Sequence, residues 1–316
     1  MFCYRNLNFN YRKPLVLIFA SALVSACGGD GGSSSGGTSS SGSSSGEVTV
    51  SITDAPVEDV TQVFVTFDAI TFKRADEEEG EAETITLDAP IQVELTALTG
   101  ENVEPLLEDQ SLEAGEYDWL RLRVIEGGTD TYAVLDDSSQ VPLTIPSNAQ
   151  TGLKVVRGFT VPQSGNLSVT LDFDLRKSLV RRGNNNDLRL KPVLRMVQDD
   201  QVGVVSGTVN STSLSGWCAD VQTFAGFVYL FEGADQTPDD LGSNDEPLVT
   251  APVEFDDDDA AYEFSIAFLE GGDYTLAFHC QDGVDDPEDD DDLTFDDIQN
   301  VTVTEGETTQ AAIPAS

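Results

Sequence analysis

Two runs of aspartate hold most of the chemistry this sequence could perform. Asp256, Asp257, Asp258 and Asp259 stand in an unbroken row, and Asp285, Asp286, Asp289, Asp290, Asp291 and Asp292 form a second block interrupted by Pro287 and Glu288. Close carboxylates repel by about 1 kcal/mol per pair even in bulk water. A hard cation with many oxygen ligands relieves that repulsion, so calcium is the one cofactor this residue type points to. Neither run has the D-x-[DN]-x-[DN]-G spacing that sets ligand order in known calcium loops, and a solvated charge run is the competing reading. A basic group, Arg176, Lys177, Arg181, Arg182 and Arg189, with Lys191 and Arg195 beyond, flanks the turn Gly-Asn-Asn-Asn-Asp. It is a candidate binding site for phosphate or sulfate on a surface glycan. The alternatives are docking of the acidic C-terminal part and pairing with Asp172 and Asp174 along an exposed strand face.

Catalysis is limited by scarcity. His279 is the single histidine, which excludes the H-E-x-x-H zinc proteases and histidine-rich metal centres. The G-x-S-x-G matches at Gly32–Gly36 and Gly42–Gly46 lie in a Gly/Ser tract, with no strand-turn-helix to strain the serine. No carboxylate pair is singled out for glycoside hydrolysis, and the expectation is a non-enzymatic protein. Cys218 and Cys280, 62 residues apart, are expected to form a disulfide, since only His279 is available as a further soft ligand for a shared metal.

The charge balance is extreme and uneven. The 316 residues carry 57 Asp and Glu against 16 Lys and Arg. From Gln201 to Ser316 there are 27 acidic residues and no Lys or Arg. Such a field repels nucleic acid and attracts cations or cationic partners. It also keeps a protein soluble in a salty medium, where self-repulsion is screened within about 8–10 Å.

The elements that must position these groups start with an address. Arg5, Arg12 and Lys13 precede an apolar run from Pro14 to Ala26, shorter than the ~20 residues a spanning helix needs. Val24-Ser25-Ala26-Cys27 resembles the lipobox of bacterial lipoproteins. That resemblance implies a signal peptide over 1–26, a diacylglyceryl group on Cys27 and membrane attachment through the lipid. Gly28 in place of an Asp after the cysteine implies, by the same analogy, the outer membrane. Residues 27–46, almost entirely Gly and Ser, read as a flexible tether.

Beyond the tether, short segments alternate apolar and polar residues at period two. Val48, Val50 and Ile52 do so, as do Val63, Val65 and Phe67, and then, after a slip, Ile70 and Phe72. Tyr117–Val124, Thr131–Leu135, Val155–Val161 and Leu167–Phe173 continue the pattern, while Glu101–Asp109 reads as the one helical turn. The fold class expected is all-β, with two tandem antiparallel β-sandwich domains at 47–200 and 201–316. The blocks "VTVSITDAPVEDVTQVFVTFDAITF", "AGEYDWLRLRV", "IPSNAQTGLKVVRGFTV" and "LDFDLRKSLV…LRLKPVLRMV" resemble, in order, those of the bacterial domain of unknown function family 4382. The family implies a secreted or lipid-anchored protein and brings no catalytic residues. The segments "VVSGTVNSTS", "GFVYLFEGA" and "LEGGDYTLAFHC" are similar to carboxypeptidase-regulatory or prealbumin-like sandwiches, a class grouped with carbohydrate-binding folds. The function expected is a binding or envelope-interaction module for a glycan or protein, with calcium ordering the acidic loops. A structural acidic spacer is the alternative and a polysaccharide-acting enzyme the third reading, for which Trp119 and Trp217 are the aromatics to inspect.

Overall fold

Alternating burial along a segment requires a strand with one face on a core, and the segments above form such strands. The computed structural model describes residues 44–55, 60–78, 81–145, 152–182, 187–218, 221, 224–280 and 285–314. The signal, Cys27 and most of the Gly/Ser tract lie outside them.

The N-terminal region comprises β1 (Ser45–Ala55), β2 (Gln62–Arg74), β3 (Glu83–Glu94), β4 (Glu104–Glu113), β5 (Gly115–Ile125), β6 (Tyr132–Val134), β7 (Gln140–Pro142), β8 (Leu153–Val155), β9 (Phe159–Val161) and β10 (Asn166–Asp174). The one-turn α1 (Leu175–Ser178), β11 (Leu179–Arg182), β12 (Asp187–Leu190) and β13 (Leu194–Gln198) complete it. One sheet runs β13-β10-β1-β4 and the other β7-β6-β2-β5-β8, with β3 on β2 and β9 on β5. Ile52 and Phe173 of the first sheet and Phe67, Ile70 and Leu122 of the second are wholly buried in one core between them. This is a sandwich. The slip in the β2 pattern is a bulge between Phe67 and Ala69, which returns Ile70 and Phe72 to the core face.

Two local expectations need correction. Glu101–Asp109 is no helical turn: Glu104–Glu113 is β4, paired to β1 with Val50 opposite Leu107. A weak helical preference yields here to a strand edge that supplies backbone partners. The tract also ends earlier than expected, because Ser45 and Gly46 already pair with Glu113 and Leu112. A side chain at Gly46 would lie 2.4 Å from the Pro162 carbonyl, so glycine serves there as a packing residue.

The C-terminal region is β14 (Val202–Val209), α2 (Ser211–Trp217), β15 (Phe224–Glu232), β16 (Val249–Asp256), β17 (Ala261–Glu270), β18 (Gly272–Cys280), β19 (Asp297–Val303) and β20 (Thr308–Ile313). All its strands belong to one sheet, ordered β19-β18-β15-β16-β17-β14-β20. The sheet curls until its edges meet: Gln299 Nε2 donates to the Ala312 carbonyl at 2.9 Å, and Thr309 Oγ1 to that of Thr302 at 2.8 Å. Val228, Leu230, Val253, Leu269, Leu276 and Phe278 fill the inside. The all-β architecture is therefore as expected, but it is not wholly antiparallel. β1 pairs parallel with β10, and β14 with β20.

α2 also went unread in the sequence. Its start is marked by Asn210, whose side-chain oxygen accepts from the Thr212 and Ser213 N–H groups at 2.9 and 3.2 Å. Asn followed by Ser-Thr-Ser is the available signal.

Candidate functional site at the acidic joint

β15 is apolar on both faces, which a strand over a single core does not need. Val228 and Leu230 point into the curled sheet, while Phe227, Tyr229 and Phe231 form a second buried cluster with Ala277 on the outside. Two things cover that outer face. Leu293 and Phe295 pack on it from the segment that follows the second aspartate run. The other cover is Arg176.

α1 aims that arginine. Asp174 caps the turn, its Oδ1 accepting from the Lys177 N–H at 3.1 Å, and Arg176 crosses to the C-terminal region. Its guanidinium lies over the Phe227 ring, 3.7 Å from the centroid. It donates to the Tyr229 hydroxyl and to Thr250 Oγ1 at 3.3 Å, and it pairs with Asp285 Oδ2 at 3.2 Å. The Tyr229 hydroxyl donates to the same Asp285 oxygen at 2.5 Å. Both charged side chains are about nineteen-twentieths buried, at 5 % and 4 % exposure. Burial holds the Tyr229 phenol above its ordinary pKa, with the Arg176 charge opposing and Asp285 reinforcing, so it remains a donor at neutral pH.

Four other cations of the N-terminal region reach across in the same way, whereas Arg74 and Arg123 pair with carboxylates of their own region. Lys177 Nζ donates to the Pro247 carbonyl at 2.6 Å and meets Glu246 at 3.3 Å. Arg195 binds Asp172 and donates to the Phe268 carbonyl at 2.9 Å. Arg157 pairs with Glu270, and Lys191 with Glu288. A region without Lys or Arg thus takes its countercharges from its neighbour. Arg176 and Lys177 are consequently not held open for a ligand, as a convergent basic site would require. Arg181 is exposed on β11 and Arg189 half-buried on β12, and Arg182 falls outside the described side chains.

The two aspartate runs do not converge. Asp256–Asp259 form the β16–β17 hairpin tip, where Asp256 Oδ1 accepts from the Asp258 and Asp259 N–H groups at 2.7 and 3.2 Å. Asp256 and Asp259 gather with Glu263, exposed or half-exposed, and Asp257 and Asp258 join no carboxylate group among the described residues. The second run meets a residue that sequence reading passed over, Asp240. Asp240, Asp285 and Asp291 bring carboxylate oxygens within 4.8 Å of one another, and Asp239, Asp240 and Asp290 form an overlapping group. Asp286, Asp289 and Asp292 belong to neither. The Thr237-Pro238-Asp239-Asp240-Leu241-Gly242 turn carries nothing by itself that marks Asp240 as buried. Its place follows from Gly242, where a side-chain carbon would sit 1.6 Å from the Asp289 carbonyl. Only glycine lets the two loops close so far.

Beside this joint opens a cleft of about 590 Å³, bordered by Asp172, Asp174, Lys177, Arg195, Phe231 and Glu232. Burial raises the Asp174 carboxyl above its ordinary pKa, with Lys177 opposing. A raised carboxyl pKa favours the protonated fold, so this contribution is present below the unfolded-state pKa and is lost as pH rises through the folded one. Asp174→Asn keeps the capping oxygen and removes the charge. It is expected to raise Tm by a few degrees at pH 7, a gain that shrinks as pH falls toward the carboxylate range. Thermal melts across that pH series check it, and an equal shift at every pH would mean that the charge is not the cause.

Cys218 and Cys280 are disulfide-bonded, with Cα atoms 5.5 Å apart. His279 beside them is buried, its Nδ1–H donating to the Thr294 carbonyl at 2.8 Å. Trp119 is 6 % exposed, with Arg121 and Lys154 over its ring, and Trp217 packs on Phe278 at 5.9 Å. Neither ring is laid out for stacking on a sugar.

Comparison with known proteins gives a family match over part of the chain. The model described as a domain of unknown function, DUF4382, matches residues 45–192, and no curated protein matches the chain. Among solved structures, the minor pilin GBS52 of Streptococcus agalactiae is 13 % identical over 84 % of this chain and 94 % of its own, with a TM-score of 0.20. BcpA, the major pilin subunit of Bacillus cereus, is 12 % identical over 85 % and 98 %, also at 0.20. The Bacillus anthracis TIE protein is 10 % identical over 86 % of this chain, which spans 34 % of its length, again at 0.20.

Proposed function

We propose that the chain, whose residues 45–192 match the DUF4382 model, is a non-enzymatic interaction module of the bacterial envelope. It is tethered to the outer membrane by a lipid on Cys27 and presents its acidic region to a protein partner that bears positive charge. The observation that carries this reading is the way the joint uses its charged groups. Asp172 with Arg195, Lys177 with Glu246, and Arg176 with Asp285 are committed to one another. Groups held in such pairs position domains; a nucleophile or general base needs to face a substrate. The Cys218–Cys280 bond supports an oxidising compartment, and the Val24–Cys27 motif supports the lipid. The 27 carboxylates of the C-terminal region without a single Lys or Arg favour a cationic partner over nucleic acid or an anionic glycan.

The test is fractionation of cells that make the full-length chain and its Cys27→Ser variant, with a labelled fatty acid in the medium. The wild type is expected to take up label and sediment with outer membrane, and the variant to stay unlabelled and soluble. Equal distribution of both, or a wild type without label, rules out the tether.

A further inference from the structure

The turn around Asp240 and the segment from Asp285 to Asp291 enclose a carboxylate that its surroundings leave half-used. Asp240 is wholly buried, at 0 % exposure. Its Oδ2 accepts from the Asp291 N–H at 2.8 Å and the Gly242 N–H at 3.1 Å, while its Oδ1, equally shut off from solvent, has no hydrogen-bond donor among the described residues. A buried carboxylate oxygen without a donor has a large cost unless a cation satisfies it. The same residue is where the two carboxylate groups overlap: Asp285 and Asp291 on one side, Asp239 and Asp290 on the other.

We propose that Asp240, Asp285 and Asp291 bind a calcium ion. The donor set is oxygen alone, which suits a hard cation and disfavours zinc or copper. Charge fits as well. Three carboxylates set against the Arg176 guanidinium on Asp285 leave two negative charges, the amount a divalent ion neutralises. Asp239 and Asp290 meet Asp240 in the overlapping group, and water completes the shell.

The site also has a mechanical consequence. Asp285 spends one oxygen on Arg176 and Tyr229 and the other on the Leu241 N–H at 2.9 Å. An ion on this cluster therefore fastens the 240 turn to the 285 segment and, through Asp285, stiffens the contact with the N-terminal region. The hairpin group at Asp256, Asp259 and Glu263 is exposed or half-exposed, so water satisfies its carboxylates without an ion. It binds no ion in this scheme. The inference is independent of the envelope reading above, since it concerns only the fold.

The experiment is calorimetric titration of calcium chloride into the full chain in detergent, with thermal melts in chelator, in millimolar calcium and in sodium chloride of matched ionic strength. One saturable site is expected, with Kd in the range of about 10⁻⁴–10⁻³ M typical of extracellular modules, and a Tm raised by several degrees beyond the salt control. Asp240→Asn is expected to lose both effects and Asp257→Asn, at the hairpin tip, to keep them. Should Asp240→Asn fail to fold, Asp291→Asn serves as the second variant and is expected to weaken binding at least tenfold. Terbium luminescence sensitised by Tyr229 reports the same site in the wild type. No saturable heat in the wild type, equal shifts in calcium and sodium, or unchanged binding in Asp240→Asn or Asp291→Asn would each overturn the assignment.

Discussion

Arg176→Met is expected to destabilise the folded chain by about 3–5 kcal/mol, the usual cost of leaving one partner of a buried ion pair without the other. Asp285 is the reason. Its carboxylate sits at 4 % exposure paired with Arg176, and the Tyr229 hydroxyl, a neutral donor, cannot replace a charge. The arginine also lies flat on Phe227, a contact worth roughly 0.5–2 kcal/mol when desolvated, and methionine retains part of the apolar coverage while removing the charge. Arg176→Lys is expected to fall between the two, because a point charge cannot reach Tyr229, Thr250 and Asp285 together as the planar fork does. The measurement is urea unfolding in chelator, run as a cycle with Asp285→Asn. The double variant should recover most of the loss, since removing both charges removes the uncompensated one. If Arg176→Met alone costs less than about 1 kcal/mol, the pair is an ordinary surface bridge and the joint is held by something else.

Opening the Cys218–Cys280 bond is expected to cost about 4 kcal/mol through the entropy that a closed loop of this length removes from the unfolded chain. The bond ties the end of α2 to the end of β18, with β15, β16 and β17 between them in sequence. Those strands form the centre of the curled sheet, so its loss should loosen the C-terminal region while the N-terminal sandwich, with its own core at Ile52, Phe67 and Phe173, persists. Unfolding of Cys218→Ser/Cys280→Ser, or of the wild type in reductant, is expected to show an early transition for the C-terminal region. A single transition shifted equally for both regions would instead mean that the joint couples them into one cooperative unit, an outcome that would strengthen the case for Arg176.

How far the sequence reaches can be judged element by element. β1, β2, β5 and β10 are legible because period-two alternation is a local property and their buried faces are Val, Ile, Leu and Phe. β4 is not, because "EPLLEDQSLE" alternates poorly and becomes a strand through the edge of β1. The disulfide is legible because two cysteines remain beyond Cys27 and only one pairing is available. The basic group is legible as a group, yet its use is not. Nothing near Arg176 in the chain says that its partners lie at Tyr229, Thr250 and Asp285, between 53 and 109 residues away.

By itself, then, the sequence determined the all-β character, the uneven charge, the cysteine pair and the two blocks of aspartate, because each depends on residue type and short-range spacing. Only the tertiary structure decided that the C-terminal strands close into one curled sheet, and that the cations of one region serve the carboxylates of the other. It alone brought Asp240 to Asp285 and Asp291. The physical reason is the same in each case: a strand's periodicity tells which side chains leave one face, but which surface that face meets depends on packing and charge compensation across the whole chain.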